Sequence, residues 1–227
     1  MPRRLRVVCP GRAHHVIARG NYRQNVLEQF EDFQQYCYWV KEYQQKYGLD
    51  VVSYCLMNNH VHFILVPKEE DGLSRLFNAL HMRYSQYKNE RMHKKGHLWQ
   101  GRYFSSIVQE REYLLRVVRY VEQNPVRAQM VDKAWDYVWS SARTHVGIDK
   151  DPIIRTVGYK KILDQLGGVV TWKEYLSGLE SSVDEEIRAS TYKGYVIGSE
   201  DFARQMEQEM GVRLTPGKVG RPKKIGS

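Results

Sequence analysis

The sequence predicts an α+β protein with an antiparallel hairpin in its first third and a mainly helical C-terminal part. Three observations lead there. Short runs rich in β-branched and aromatic residues, such as 61–66, read as strands. Longer segments, 26–47 and 73–91, carry apolar residues every three or four positions, the period of an amphipathic helix. The resulting order is strand, helix, strand, strand, helix, strand, helix, and after it the pattern is helical only.

The elements follow from local signals. Residues 14–18 (His-His-Val-Ile-Ala) form a short strand, closed by the turn signal Arg19-Gly20-Asn21. In the first helix Leu27, Phe30, Phe33, Cys37, Val40 and Tyr43 or Tyr47 share a face, and Gly48 stops it. Residues 50–56 are a second strand. Asn58-Asn59 turns the chain into the third, which ends at Pro67. A loop with three acids precedes the second helix, whose apolar face holds Leu73, Leu76, Phe77, Leu80, Tyr84 and Tyr87. Residues 103–108 are a fourth strand. The helix after it begins with acids that suit its dipole and ends at Pro125.

Composition narrows the function classes. A chain of 227 residues can bury a full core, as one domain with an extension or as two small domains. No apolar stretch approaches the roughly 20 residues of a membrane span. The basic N-terminus is followed by too short an apolar run for a signal peptide. Cys9, Cys37 and Cys55 form no C-x-x-C pair and read as reduced thiols in a cytoplasmic protein. A net charge of +9 points to a polyanionic partner, most simply nucleic acid, though it also suits a merely basic soluble protein.

The chemistry concentrates at Leu56-Met57-Asn58-Asn59-His60-Val61-His62. Side chains alternate along a strand, so His60 and His62 share a face and make half of a metal site. A histidine in a strand is more commonly a packed core or edge residue. His14 and His15 are adjacent, so they face opposite ways and cannot form such a pair. Tyr120 and Asn124 lie one turn apart near the end of the helix before Pro125. A tyrosine there usually packs. With an amide beside it, both facing a two-histidine strand, it suits a nucleophile and a third metal ligand. A phenolate can attack a phosphodiester, and a divalent cation polarises that phosphate. Two imidazoles and an amide oxygen suit Mg²⁺ or Mn²⁺.

Residues 81–102 hold Arg83, Lys88, Arg91, Lys94, Lys95 and Arg102 against one acid, with Tyr84, Tyr87, Trp99 and three histidines interleaved. Cations that neutralise phosphates beside rings that stack bases describe a surface for single-stranded or hairpin DNA. A solvated helix end with its aromatics turned inward reads equally well. Beyond residue 147 short helices are expected within 149–168, 172–179 and 183–190. Another starts at Ser199, an N-cap followed by two acids, and stops near Gly211. The tail 212–227 has five basic residues and no acid. Its Gly220-Arg221-Pro222-Lys223-Lys224 is like the core of an AT-hook, or is a plain basic tail.

Several segments together resemble the HUH single-tyrosine transposases, specifically the REP-associated tyrosine transposase group. They are Met1-Pro2-Arg3-Arg4, His14-His15-Val16-Ile17-Ala18-Arg19-Gly20-Asn21, the histidine stretch, Gly96-His97-Leu98-Trp99-Gln100-Gly101-Arg102-Tyr103, Arg119-Tyr120-Val121-Glu122-Gln123-Asn124-Pro125-Val126-Arg127-Ala128, and Trp139-Ser140-Ser141. The resemblance implies a ferredoxin-like antiparallel sheet with helices on one face. It implies a catalytic domain over 1–147; beyond it the change of character gives a helical extension over 148–211, read as auxiliary DNA binding, and a flexible basic tail over 212–227. His60 and His62 become the metal ligands, Tyr120 the nucleophile and Asn124 the third ligand, where many relatives carry Gln. The implied reaction cleaves single-stranded DNA beside a hairpin, leaves a 5′-phosphotyrosine and a free 3′-hydroxyl, and needs no ATP.

Under this reading the DNA contacts are Arg19, Arg83, Lys94, Lys95, Trp99, Arg102, Arg119, Arg127 and Arg221. The partner is hairpin DNA, the location is cytoplasmic and nucleoid-associated in a bacterium, and the protein acts as a monomer or homodimer. Two other classes compete: a hairpin-binding protein with little or no catalysis, and an unrelated metal hydrolase for which Tyr120→Phe is nearly harmless. A covalent DNA adduct separates the first class from both.

Overall fold

The computed structural model describes residues 6–154, 169–178 and 181–216. These residues form a four-stranded antiparallel sheet in the order β2-β3-β1-β4. The strands are β1 (Ala13–Arg19), β2 (Leu49–Leu56), β3 (His60–Pro67) and β4 (Phe104–Val108). Helix α1 (Phe30–Lys46) connects β1 to β2, and α2 (Gly72–Arg91) connects β3 to β4. This βαββαβ order with its central β1 and β3 is the ferredoxin-like arrangement, as the resemblance implied. Helix α3 (Glu112–Glu122) follows. The first helix starts at Phe30 rather than at 26, because Val26 and Leu27 are buried in a lead-in whose amides bond to Asn58 O.

Strand pairing sorts side chains onto two faces. Val16, Ala18, Val61, Phe63 and Leu65 face α1 and α2, where they pack with Phe33, Tyr36, Val40, Leu76, Phe77 and Leu80. On the opposite face Ile17 lies across from His62, Arg19 from His60, and His15 from Ile64. A β-bulge places both Val52 and Ser53 opposite Ile64, so Val51 serves the first core while Ser53 and Cys55 turn to the second face. The expectation of helices on one face therefore describes α1 and α2. The second face is covered as well, by α3 and by helices from the C-terminal part.

Those helices are α6 (Val169–Ser177) and α7 (Ser181–Lys193), after the short turns α4 (Asn124–Arg127) and α5 (Ala142–His145); α8 (Glu200–Met210) instead packs Phe202 and Met206 on Ile107, which pairs with His14 and so faces the other side. Trp172, Leu176, Ile187 and Ile197 share one buried cluster with Cys55, Ile64, Val117, Tyr120 and Val121. Ile197 bonds its backbone to β4 through Ile107 O and Gln109 N. The extension expected beyond residue 147 thus completes the core instead of standing apart. Helix α8 has the Ser199 cap read from sequence, with the hydroxyl accepting from Phe202 N, and ends at Gly211 with φ +64°. Most of the helix expected in 149–168, and the whole AT-hook-like stretch with Arg221, lie outside the described residues.

Buried polar groups tie these layers together. The Glu122 carboxylate, on α3, accepts from Ser141 Oγ (2.5 Å), Ser53 Oγ (3.3 Å) and Trp172 Nε1 (3.2 Å), and meets His145 Nδ1. Ser141 also binds the Tyr54 backbone N–H at 3.1 Å. The Trp-Ser-Ser segment is therefore a clamp between β2 and α3.

Candidate active site

His60 and His62 sit together on the second face of the sheet, ring centroids 4.9 Å apart. Asn59 Oδ1 lies 2.6 Å from His60 Nδ1, and an amide oxygen only accepts, so the His60 proton is on Nδ1. Asn59 Nδ2 reaches Arg23 O, which fixes that amide's orientation. Burial lowers both histidines, with Arg19 and Arg127 adding to the effect: His60 falls to about 4 and His62 well below its usual value, where His60 and His15 also contribute. Both rings are thus neutral at pH 7, with lone pairs free of protons.

Tyr120 faces them from α3. It is 4% exposed, and its ring meets the His15 and His62 rings edge-on at 5.5 and 5.6 Å. Burial pushes its hydroxyl up to about 12, against the pull of Arg127 and Arg188. The Arg127 guanidinium lies 4.4 Å over the Tyr120 ring, donates to the Tyr120 carbonyl, and bonds Asp184 at 2.9 Å. Pro125 opens α4, so the helix breaks at Gln123. Asn124 Nδ2 donates to Tyr120 O and Val121 O, each at 3.0 Å. Its amide nitrogen is thereby committed to backbone, and Oδ1 is the end left for a ligand. Among the described residues no three His, Cys, Asp or Glu side chains cluster as a metal site. Asn124 lines the same cavity as the two histidines and offers a neutral oxygen there.

His60, His62, Tyr120, Asn124 and Arg127 line one cavity of about 410 Å³, together with Arg19, Met57, Asp184, Glu185, Arg188 and Tyr192. The Arg19 guanidinium stands 5.5 Å over the Tyr192 ring, and its buried Nε has no hydrogen-bond partner among the described residues. The α7 residues were missed in the sequence. Asp184, Arg188 and Tyr192 recur at four-residue steps and so mark one helix face, but nothing in that spacing points at a strand over a hundred residues earlier.

The other expected DNA contacts divide. Arg83, Lys94, Lys95 and Arg102 are exposed. Arg102 borders a second cleft of about 450 Å³ with Asn78, Gln86, Asn89 and Trp99. Trp99 is 7% exposed, stacked on His81 at 4.1 Å and packed near Tyr36 and Tyr84, so it is a core residue with one edge at that cleft. Arg119 corrects its expectation: it is buried, with its guanidinium 4.3 Å over Tyr175, because its helix face turns to α6. Lys88 is likewise buried, held by Asp32 and Glu28.

Among the described residues no helix is long and apolar enough to cross a membrane. A family model described as "Transposase IS200 like" matches residues 11–124, half of the chain. A Haemophilus influenzae protein assigned to the REP-associated tyrosine transposases is 21% identical over 111 residues, which cover 44% of this chain and 63% of that protein. The chain therefore spans less than two thirds of that relative. A solved structure of the REP-associated tyrosine transposase bound to a REP hairpin superposes with a TM-score of 0.53 at 17% identity, over 69% of this chain and 93% of that one; it speaks to the fold alone. A transposase structure from Deinococcus radiodurans gives a TM-score of 0.37 at 23% identity, over 52% and 84% of the two chains. The matched span of the family model, from the turn before β1 to Asn124, includes both strand histidines and Tyr120, and on that match the chain belongs to the IS200-like transposase family.

Proposed function

We propose that this chain cleaves and rejoins single-stranded DNA beside REP-like hairpins through a covalent phosphotyrosine on Tyr120. The observation that carries the reading is the meeting, in one cavity, of a phenol, two neutral imidazoles, an amide oxygen and the guanidinium groups of Arg19 and Arg127. The donor set fits Mg²⁺ or Mn²⁺, held by His60, His62 and Asn124, with Mn²⁺ the better match to nitrogen ligands. Such a cation, when bound, polarises the scissile phosphate and offsets charge in the transition state.

The protein's own groups do the rest. Tyr120 is protonated at neutral pH, so attack requires loss of its phenolic proton to solvent, and Arg127 and Arg188 favour the phenolate. The phenolate oxygen bonds to phosphorus as the bond from phosphorus to the 3′ oxygen breaks. That oxygen takes up a proton and leaves as a free 3′-hydroxyl. Arg19, whose Nε has no partner among the described residues, orients the phosphate. In the reverse direction a 3′-hydroxyl attacks the phosphotyrosine, so no nucleotide cofactor is consumed. Arg83, Lys94, Lys95 and Arg102 track the hairpin backbone outside the cavity. The hairpin bound by the superposed relative supports hairpin DNA as the substrate.

The test is a denaturing gel of wild type and Tyr120→Phe with labelled single-stranded hairpin DNA, with Mn²⁺ or with chelator. The expected result is a metal-dependent covalent band in wild type alone. Binding without a band over several hairpins of the host genome would make the protein a hairpin binder. Cleavage that survives Tyr120→Phe would remove Tyr120 from the chemistry.

A further inference from the structure

We infer that His15, together with Thr191 of α7, is a positioning residue for His62: the pair determines which ring nitrogen of His62 carries its proton. The inference rests on the reading of His62 as a metal ligand only for its consequence, not for its geometry.

The argument is a count of hydrogens. Thr191 has one hydroxyl proton, and Oγ1 donates it to Ile187 O at 2.9 Å, one turn back on the same helix. Thr191 Oγ1 also lies 2.7 Å from His15 Nδ1, both atoms buried. With its proton spent, the hydroxyl can only accept there, so His15 carries hydrogen on Nδ1. A neutral His15 then has a bare Nε2. That nitrogen lies 3.1 Å from His62 Nδ1, and the two rings lie 9° from parallel with centroids 5.4 Å apart, so they meet edge to edge and an N–H in one ring plane points at the other nitrogen. Two bare nitrogens would repel, so His62 donates from Nδ1. Its Nε2 is left with the lone pair, the form a cation needs. His60 reaches the same form through Asn59 Oδ1.

The order runs Ile187 O, Thr191 hydroxyl, His15, His62, with every donor facing an acceptor. Partners behind ligating imidazoles typically hold ring and tautomer in this way, and their loss costs about 10–100-fold in metal affinity. His14, the adjacent histidine, does nothing comparable. Its two nitrogens meet Cys9 N and Arg12 O on the other face of the sheet. The far end of the relay lies beyond the matched family span, which stops at residue 124.

The experiment uses the full-length protein without DNA. Long-range ¹H–¹⁵N correlation spectra of the imidazoles report the tautomer of each histidine, and calorimetric titration with Mn²⁺ reports affinity. In wild type and Thr191→Ser, His62 is expected to carry hydrogen on Nδ1. In Thr191→Val and His15→Phe, His62 is expected to lose that uniform state, and Mn²⁺ affinity to drop about 10–100-fold with the melting curve still cooperative. A wild-type His62 protonated on Nε2 would overturn the inference. So would a folded Thr191→Val whose affinity stays within about twofold of wild type, well short of that loss. If wild type binds no Mn²⁺, the metal reading fails, and the spectra of wild type, Thr191→Ser and Thr191→Val still decide the relay.

Discussion

Pro125 accounts for the way Asn124 is held. A proline has no N–H, so Val121 O cannot receive its usual helical bond, and the Asn124 side chain supplies it along with a bond to Tyr120 O. One residue thus caps the broken helix with nitrogen and presents oxygen to the cavity. Asn124→Asp separates the two roles, because it keeps an oxygen and loses the donors. In chelator the variant should be about 1–3 kcal/mol less stable than wild type, the cost of leaving the Val121 carbonyl unpaired, since Tyr120 O keeps its bond from Arg127. Mn²⁺ should return part of that loss, since a carboxylate is the stronger ligand. Thermal unfolding with and without Mn²⁺ checks this, and an equal loss in both conditions would leave Asn124 a cap only. At this scale the sequence was legible where partners are close in the chain. The shared face of His60 and His62, and the single turn from Tyr120 to Asn124, are local periodicities. His15 was not legible as their neighbour. Adjacency shows that His14 and His15 face apart, but which of them meets His62 depends on the pairing of β1 with β3.

The elements are joined by a buried ion pair that composition disguised. Lys88 read as one cation in a basic stretch, yet its ammonium lies 2.6 Å from Asp32 and 2.9 Å from Glu28, tying the start of α1 to the end of α2. Asp32 also accepts from the amides of Glu28 and Gln29. Burial raises the Asp32 carboxyl, but the bonds from Lys88 and these amides outweigh it, and its pKa is lowered. A depressed carboxylate stabilises the fold fully above its unfolded pKa of about 4 and loses that contribution as pH falls through its lower folded value. Asp32→Asn should therefore cost about 3 kcal/mol at pH 7, with Lys88 left short of its closest partner. The gap to wild type should narrow below about pH 4. Urea unfolding at pH 7, 5 and 3 measures it; a gap that persists at pH 3 would assign the loss to packing. Helix positions themselves were legible because apolar spacing dictates them. What the cations on those helices face was not, since that requires the packing of α2 on α1.

At the scale of the whole molecule, the sheet is buried on both sides, and the second side is closed by residues from the last third of the chain. Trp172 is the largest fully buried side chain there, and it donates to Glu122, two residues from Tyr120. Trp172→Ala should destabilise the protein by about 3–5 kcal/mol, from lost packing and a cavity. Loss within about 1 kcal/mol in chemical unfolding, far below that range, would show that α6 is peripheral. The composition change near residue 147 suggested a separate extension, and short amphipathic helices look alike whether they cover a core or stand beside one. Contacts such as Trp172 to Glu122, or Thr191 to His15, span too much chain for any periodicity to announce them.

The bulge in β2 has a consequence for how this hairpin can change length. Val51 and Val52 are identical, so loss of either codon yields the same chain, and that chain has an unbroken ladder: Val51 still faces Leu65 and Ser53 still faces Ile64. The hairpin can drop one residue there and keep every other side chain on its own side. The neighbouring strand has no such slack. Loss of Val61 would make the two histidines adjacent and send them to opposite sides of the sheet. Length variation among natural versions of this hairpin should therefore gather in the valine pair of β2, while the spacing in β3 stays constant.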